Sequence, residues 1–430
     1  MKKIKWLLVG ILAGMLFIAG CGGDDETKGD PDKTTITYWQ YTYPSKVEEI
    51  DKIIKDFEEE NPDIEVIAQD YPHDQYQQKI FAAMKADKGP DIMNIYYGWV
   101  PEYVDREYIQ PIRDEFMTDE EISDYYVDMV EPNKTDDTYY TLPIAVRSLA
   151  LFWNKDMFEE AGLDKDTPPE TWDEVIDYAK KMTVLDDNGR YEQEGYGWNV
   201  GGQGLHMFQQ VMLRQFGVEP YSDDGKEVLW NSEPEGYDAF EYWVNMSKEH
   251  KIGDQNFANS YSEAFISGKA GMIIDGSFRI GDVQSSTDFD WGVTTLPVLE
   301  KGGLESNYAS YWTNAIATGV EGKKLEASEK FLEYLIQEDV QREWMKNVGE
   351  LPAAQALAED EEIKEDPVYG PFVKGLEHAH ATFFVRAEKE REIMMNKVDQ
   401  ILLNDADIDK TFDELVEEIQ TVRDEYFEEH

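Results

Sequence analysis

The sequence predicts an α/β chain whose sheet is mostly parallel, and two observations carry that reading. Strand and helix patterns alternate without a break from Thr34 to Tyr96. That order places helices on the faces of a parallel sheet. Strand signals then fade through a largely helical middle and return from about residue 270, as they would if the chain left one domain, built a second and came back. A chain of 430 residues has room for two or three domains.

Each element has its own signal. Ile36 and Tyr38 alternate with polar neighbours as a first strand. Val47, Ile50, Ile54 and Phe57 recur at helical spacing, and Asn61-Pro62 stops that helix. Ile64, Val66 and Ala68 alternate as a second strand. Residues 74–86 form a helix carrying Tyr76, Ile80, Ala83 and Met84, and Pro90-Asp91 opens the apolar strand Ile92 to Tyr96. Thr171 and Glu174 spell a capping box for a helix that buries Val175, Ile176, Ala179 and Met182. Asp187-Asn188-Gly189 and Asp223-Asp224-Gly225 read as turns, and Pro234 opens a helix through Tyr237, Phe240, Trp243 and Val244. Strands return at Met272-Ile273-Ile274, Trp291-Gly292-Val293 and Ala315-Ile316-Ala317. The last hundred residues are helical, with Phe331, Leu332 and Leu335 on one helix and Phe412, Leu415, Val416 and Ile419 on the final one.

The N-terminus reads as an export signal. Lys2, Lys3 and Lys5 precede an apolar run from Trp6 to Ile18, and small residues Ala19-Gly20 stand before Cys21. The apolar part is too short for an ordinary membrane span; the competing reading is an uncleaved anchor helix. Cys21 is the single cysteine of the chain, which excludes a disulfide framework and a thiolate metal cluster. Residues 1–20 are therefore expected to be a signal peptide and 21–33 a flexible tether. The formal charge of −51 repels nucleic acid and anionic lipid head groups. The acids are spread along the chain, which favours a solvated acidic surface, suited to a saline or alkaline habitat, over a clustered site for a cation.

Residues Ile18 to Cys21 resemble a bacterial lipobox, which implies a lipidated Cys21 and a protein tethered to the outer face of the cytoplasmic membrane. Further segments resemble the extracellular solute-binding proteins of ABC importers, in particular the sugar-binding class related to maltose-binding protein. They are Tyr140 to Ala145, Leu151 to Leu163, Pro169 to Val175, Phe265 to Met272 with Asp275-Gly276-Ser277-Phe278, Phe57 to Pro62, and Gly89 to Ile92. The likeness covers nearly all of the mature chain. Phe278 stands where a Trp is common in that family, and Gly271 where an Ala is common. The resemblance implies a two-lobe periplasmic-binding-protein fold, type II-like, with a ligand cleft between mostly parallel α/β lobes. The lobes are expected at 34–144 with 274–311 and at 145–273 with 312–430, with crossings near Ala145, Ile274 and Trp312 and a hinge that closes on ligand.

A sugar ring has apolar C–H faces and polar edges, so its site needs flat aromatic platforms and a few fixed hydrogen-bonding groups. Aromatics just past strand ends are the natural candidates: Trp39 and Tyr41 after the first strand, Tyr97 and Trp99 after the third, Trp198 in the glycine-rich 197–204 loop, and Tyr311 and Trp312 at the last expected crossing. Core packing is the alternative for each, and it is the better reading for Trp153, Trp172 and Trp243, which lie on regular apolar patterns. Phe278 keeps an aromatic face at the family position. Among polar groups, Gln40, Arg147, Gln203 and Asp275 are candidate ligand contacts, with His206 and Arg279 beside them. Arg147 can donate in a planar fork and Asp275 can accept two hydroxyl bonds; either could instead serve a salt bridge between lobes.

Catalytic patterns are sparse. His378 and His380 are two residues apart and have no third ligand, a poor zinc pattern. Asp186 to Glu194 lacks the calcium-loop glycine position, and nucleophile-elbow, Walker and dinucleotide fingerprints are missing. The sequence therefore predicts a monomeric, cofactor-free and non-catalytic lipoprotein. It would capture a carbohydrate, an oligosaccharide rather than a monosaccharide, and deliver it to importer permease subunits. The rival readings are a secreted lipoprotein glycoside hydrolase or lyase, and a binder of a non-sugar solute such as a polyamine or a glycerophosphodiester.

Overall fold

The structure is a computed structural model, and it describes residues 30–135, 138–382 and 384–429. The leader, Cys21 and most of the expected tether lie outside the described residues. Strands β1 (Thr34–Tyr41), β2 (Ile64–Tyr71) and β3 (Ile92–Tyr96) pair in parallel in the order β2-β1-β3. Parallel neighbours need a crossover. Helix α1 (Pro44–Glu60) supplies the first and α2 (His73–Lys85) the second. Ile50, Ile53, Ile54 and Phe57 are the buried stripe of α1.

One long strand, Thr141–Asn154, carries the sheet from one core to the other. Residues Thr141 to Ser148 pair antiparallel with the returning strand Asn307–Ile316, and Leu149 to Trp153 pair antiparallel with Ala270–Gly276. The partner changes between Ser148 and Leu149. Side chains alternate faces along a strand, so Leu149, Leu151 and Trp153 enter one hydrophobic core while Ala150 and Phe152 enter the other. The register slips between Trp312 and Thr313, opposite Ala145 and Pro143. Pro143 has no N–H to give the ladder, and an irregularity there accommodates it.

The second core gathers Trp172, Phe208, Trp230, Phe240 and Trp243 with Met394 of helix Ala387–Asn404 and Phe412 of helix Ile408–Glu429. Phe240 and Phe412 stack at 4.5 Å. The sheet continues on this side from Ala270–Gly276 to Tyr191–Tyr196 in parallel. The molecule is thus a mixed α/β, two-lobe fold with a sheet running through both halves.

Three local expectations turn out differently. Helices Gly322–Leu335 and Glu338–Val348 join the first core, where Phe331 meets Tyr38 at 5.8 Å and Phe57 at 5.1 Å. The sequence reading grouped all of 312–430 with the other lobe. Helical spacing shows that a face is buried and says nothing of which sheet covers it. Thr171 does accept from the Glu174 N–H at 3.3 Å, but the Glu174 carboxylate accepts from Glu170 N instead of closing the box. The reciprocal box forms at Thr118 and Glu121. The returning strand runs Asn307–Ile316, so Tyr311 and Trp312 lie inside a strand and not past a strand end. Among the described residues no helix is long and apolar enough to cross a membrane.

Candidate ligand-binding cleft

Strands β1 and β3 end side by side against the returning strand, and that places their terminal aromatics together. Trp312 sits at the centre. Its ring lies 4.0 Å from Tyr41, 5.3 Å from Trp99, 5.8 Å from His73, 5.9 Å from Tyr96 and 6.3 Å from Tyr76. Trp39 is on the margin, edge-on to Tyr71 at 4.9 Å, with its carbonyl accepting from the Tyr76 hydroxyl at 2.7 Å. Alternation along β1 sends Gln40 to the opposite face from Trp39 and Tyr41. Gln40 is buried, and its Oε1 has no hydrogen-bond partner among the described residues.

The cluster reaches the second core through the hydroxyl pair Tyr96 Oη and Tyr308 Oη at 2.9 Å, with Phe384 between Tyr96 and His206. His206 lies flat on Tyr308, 3.9 Å between ring centres and 5° from parallel, with Phe384 edge-on at 5.6 Å. Burial first, and then the nearby Arg391, push the His206 pKa well below its ordinary value, so it is a neutral ring at pH 7. A cavity of about 480 Å³ opens at the Trp99 end, between Gln77 and Arg106 on one side and Phe384, Arg386 and Lys389 on the other.

At the other end the polar groups are arranged in pairs. Arg147 Nε donates to Glu350 Oε1 at 2.6 Å and Nη2 donates to the Tyr41 hydroxyl at 2.9 Å. Lys46 Nζ reaches Glu350 at 3.6 Å, and Trp344 Nε1 donates to Glu350 Oε2 at 2.8 Å. Burial resists a charge on Glu350, but Arg147 and Lys46 overcome it and bring its pKa down to about 2. Asp275 is buried and accepts from Arg279 Nε at 2.8 Å and from the Gly276 N–H at 2.8 Å. Both guanidinium groups lie over the Phe278 ring, Arg147 at 4.8 Å and Arg279 at 5.5 Å. Tyr43 donates its hydroxyl to the Phe278 carbonyl at 3.3 Å.

The structure therefore brings Trp39, Tyr41, Trp99, Arg147, Phe278 and Trp312 to the cleft region and takes other candidates away from it. Trp198 is 1% exposed. Its N–H donates to the Trp243 carbonyl at 3.0 Å and its ring joins the second core, so it has no face for a ligand. Tyr311 is fully buried and stacks on Tyr97 at 4.8 Å, while the Tyr97 hydroxyl is held by Thr382 at 3.1 Å. Both pack the first core. Asp275 holds an arginine in place and does not face outward. Gln203 sits at the helix start before Gly204, its carbonyl accepting from the Met207 N–H at 2.8 Å. Sequence reasoning missed Lys46, Glu350 and Trp344. Glu350 is one of 91 acidic residues, and no local pattern separates it from the rest.

A two-lobed chain with an aromatic cluster where its strands end is built as a binding protein. The family model for bacterial extracellular solute-binding proteins matches residues 52–371, and the chain belongs to that family. It is 25% identical over 354 residues to the maltotriose-binding protein of Pyrococcus abyssi (strain GE5 / Orsay), covering 80% of this chain and 72% of that one. It is 26% identical over 345 residues to the sn-glycerol-3-phosphate-binding periplasmic protein UgpB of Escherichia coli (strain K12), covering 75% of each. The fold is shared with a cyclic alpha-maltosyl-1,6-maltose binding protein from Arthrobacter globiformis, at a TM-score of 0.78 and 24% identity, over 91% of this chain and 99% of that one.

Proposed function

We propose that this protein captures a carbohydrate, an oligosaccharide in preference to a single sugar, and presents it to the permease of an ABC importer. The observation that carries this reading is the ring cluster around Trp312 at the strand ends where such folds hold ligands; Trp312 and Tyr41 are buried at its base, and Tyr96, Trp99 and His73 keep part of their rings open. Family membership and the sugar ligands of relatives support it. The lobes are taken as 34–144 with 274–311 and 145–273 with 312–430, modified by the packing of 322–348 on the first core; they close about the strands that cross between them.

Binding without turnover is the better reading of the acids. Glycoside hydrolysis needs one carboxyl kept protonated beside another that is free. Glu350 is held ionised and Asp275 is paired with Arg279. Glu194, which burial pushes up to about 8, lies 1% exposed beside the Asp254 N–H, 3.2 Å away. The protein is also taken to be a monomer with no cofactor. The leader 1–20 is cleaved, and lipid on Cys21, followed by the 21–33 tether, anchors it to the outer face of the membrane. A thermal-shift screen of mono- to tetrasaccharides tests the ligand class. A tight ligand raises the melting temperature by mass action. Oligosaccharides are expected to raise it more than their monosaccharides; a panel that leaves it unmoved overturns the reading.

A further inference from the structure

We infer that the ligand carries an oxyanion, and that Arg147 and Arg279 anchor it beside Phe278. The inference rests on the carbohydrate reading above and specifies it as an acidic oligosaccharide, a sugar chain bearing a carboxylate.

The argument begins with which partner of each ion pair faces outward. Arg147 is 15% exposed and its partner Glu350 is 4% exposed. Arg279 is 20% exposed and its partner Asp275 is fully buried. In both pairs the carboxylate lies behind and the guanidinium in front. A neutral sugar is well served by exposed carboxylates that accept from its hydroxyl groups. At this end of the cleft the order is reversed, and a ligand meets donors.

The donor count leaves room for a ligand. Arg147 commits Nε and Nη2, to Glu350 and Tyr41, and Arg279 commits Nε and Nη1, to Asp275 and Asp282. Arg147 Nη1 and Arg279 Nη2 have no partner among the described residues, and a guanidinium has five N–H donors to place. Both groups lie within 5.5 Å of the same ring centre, Phe278, so both unused donors belong to one neighbourhood. Asp282, 46% exposed, is an acid that stays in front, where it pairs with Arg279. Lys46 adds a buried positive charge behind Tyr41 and Trp312, 4.8 and 5.7 Å from their rings. A chain with a formal charge of −51 repels anions over most of its surface, so a place that holds arginines forward selects for them locally. The same arrangement disfavours a polyamine.

Calorimetric titration of the full chain decides the matter. The probes are a panel of neutral trisaccharides, the same trisaccharides oxidised at C6 to uronates, and glycerol 3-phosphate as a small phosphate. The uronates are expected to bind at least about tenfold more tightly than their neutral counterparts, the scale of one charge-assisted bond. The gap should shrink at about 0.5 M salt. It should also shrink in Arg147→Gln, where Lys46 and Trp344 still hold Glu350, and in the double variant Arg279→Gln/Asp275→Asn. Binding of glycerol 3-phosphate with no trisaccharide bound supports the oxyanion anchor and overturns the carbohydrate reading. Neutral trisaccharides that bind as tightly as uronates overturn the anchor and leave the carbohydrate reading standing. So does a gap that persists in these variants when they fold. A panel with no binder at all overturns both.

Discussion

Arg147 and Glu350 form a part-buried ion pair across 203 residues of sequence, Nε to Oε1 at 2.6 Å, with the carboxylate on the buried side. The strand that changes partners between the cores supplies the arginine, and the turn after helix Glu338–Val348 supplies the acid. Lys46 and Trp344 also hold Glu350, and Tyr41 accepts from Arg147. Removing one partner of such a pair strands the other charge in a low-dielectric site.

Glu350→Ala is therefore expected to lower stability by about 3–5 kcal/mol in urea denaturation. The pH dependence follows from the direction of the shift. Glu350 titrates near 2 when folded, against 4.5 ordinarily. Its stabilisation is complete above pH ~4.5 and is lost as pH falls through ~2. Glu350→Gln should show a shallower acid limb than the wild type. Parallel limbs would mean that the carboxylate is not held ionised by its partners.

Glu194 runs the other way. Burial raises its pKa to about 8 from 4.5, so the fold favours its protonated form. That contribution is present below pH ~4.5 and is lost as pH rises through ~8. Glu194→Gln is expected to gain on the wild type between pH 5 and pH 8 when melting temperatures are compared. An unchanged difference across that range would place an ionised Glu194 comfortably in the core.

Trp312 and Trp198 separate ligand contact from packing. Trp312→Ala is expected to weaken oligosaccharide binding by about 1–3 kcal/mol in calorimetry. Trp198→Ala is expected to cost about 3–5 kcal/mol of stability, with affinity kept in the folded fraction. The reverse assignment of losses would move the binding surface to the 197–204 loop.

Ligand should bring the halves together. The long strand Thr141–Asn154 and the return strand Asn307–Ile316 connect both cores, and closure requires that the closed form bind more tightly. Small-angle scattering with a saturating ligand is expected to show a smaller radius of gyration. An unchanged radius with binding proven would mean a preformed, rigid site.

Cys21→Ser tests the anchor. A diacylglyceryl group has two chains, enough for stable attachment where one chain is marginal. The variant is expected to appear in the medium or to stay an unprocessed precursor. A processed variant that stays on the membrane would need some other tether.

The sequence by itself determined the alternation of β1, α1, β2, α2 and β3, because the side-chain periods of strand and helix are local and each fixes which face is buried. It determined the family, through short segments whose order along the chain carries the likeness. It also singled out Trp39, Tyr41, Trp99 and Trp312, which come together in one ring cluster, although only Trp99 lies past a strand end and the other three lie within strands. Tertiary structure decided what periodicity cannot express. Phe331 is helical in any reading, but only packing reveals that it meets Tyr38 and Phe57. Trp198 and Trp312 both sit in aromatic, loop-like sequence. One is packed into the second core and the other into the ring cluster on the first, because burial depends on what the remote chain lays over a residue. Glu350 became significant only when folding set it behind Arg147. Its charge state is set by neighbours that come from strands and helices 203 to 304 residues away (Arg147 and Lys46), a coupling that exists only once the chain has brought them into one dry site.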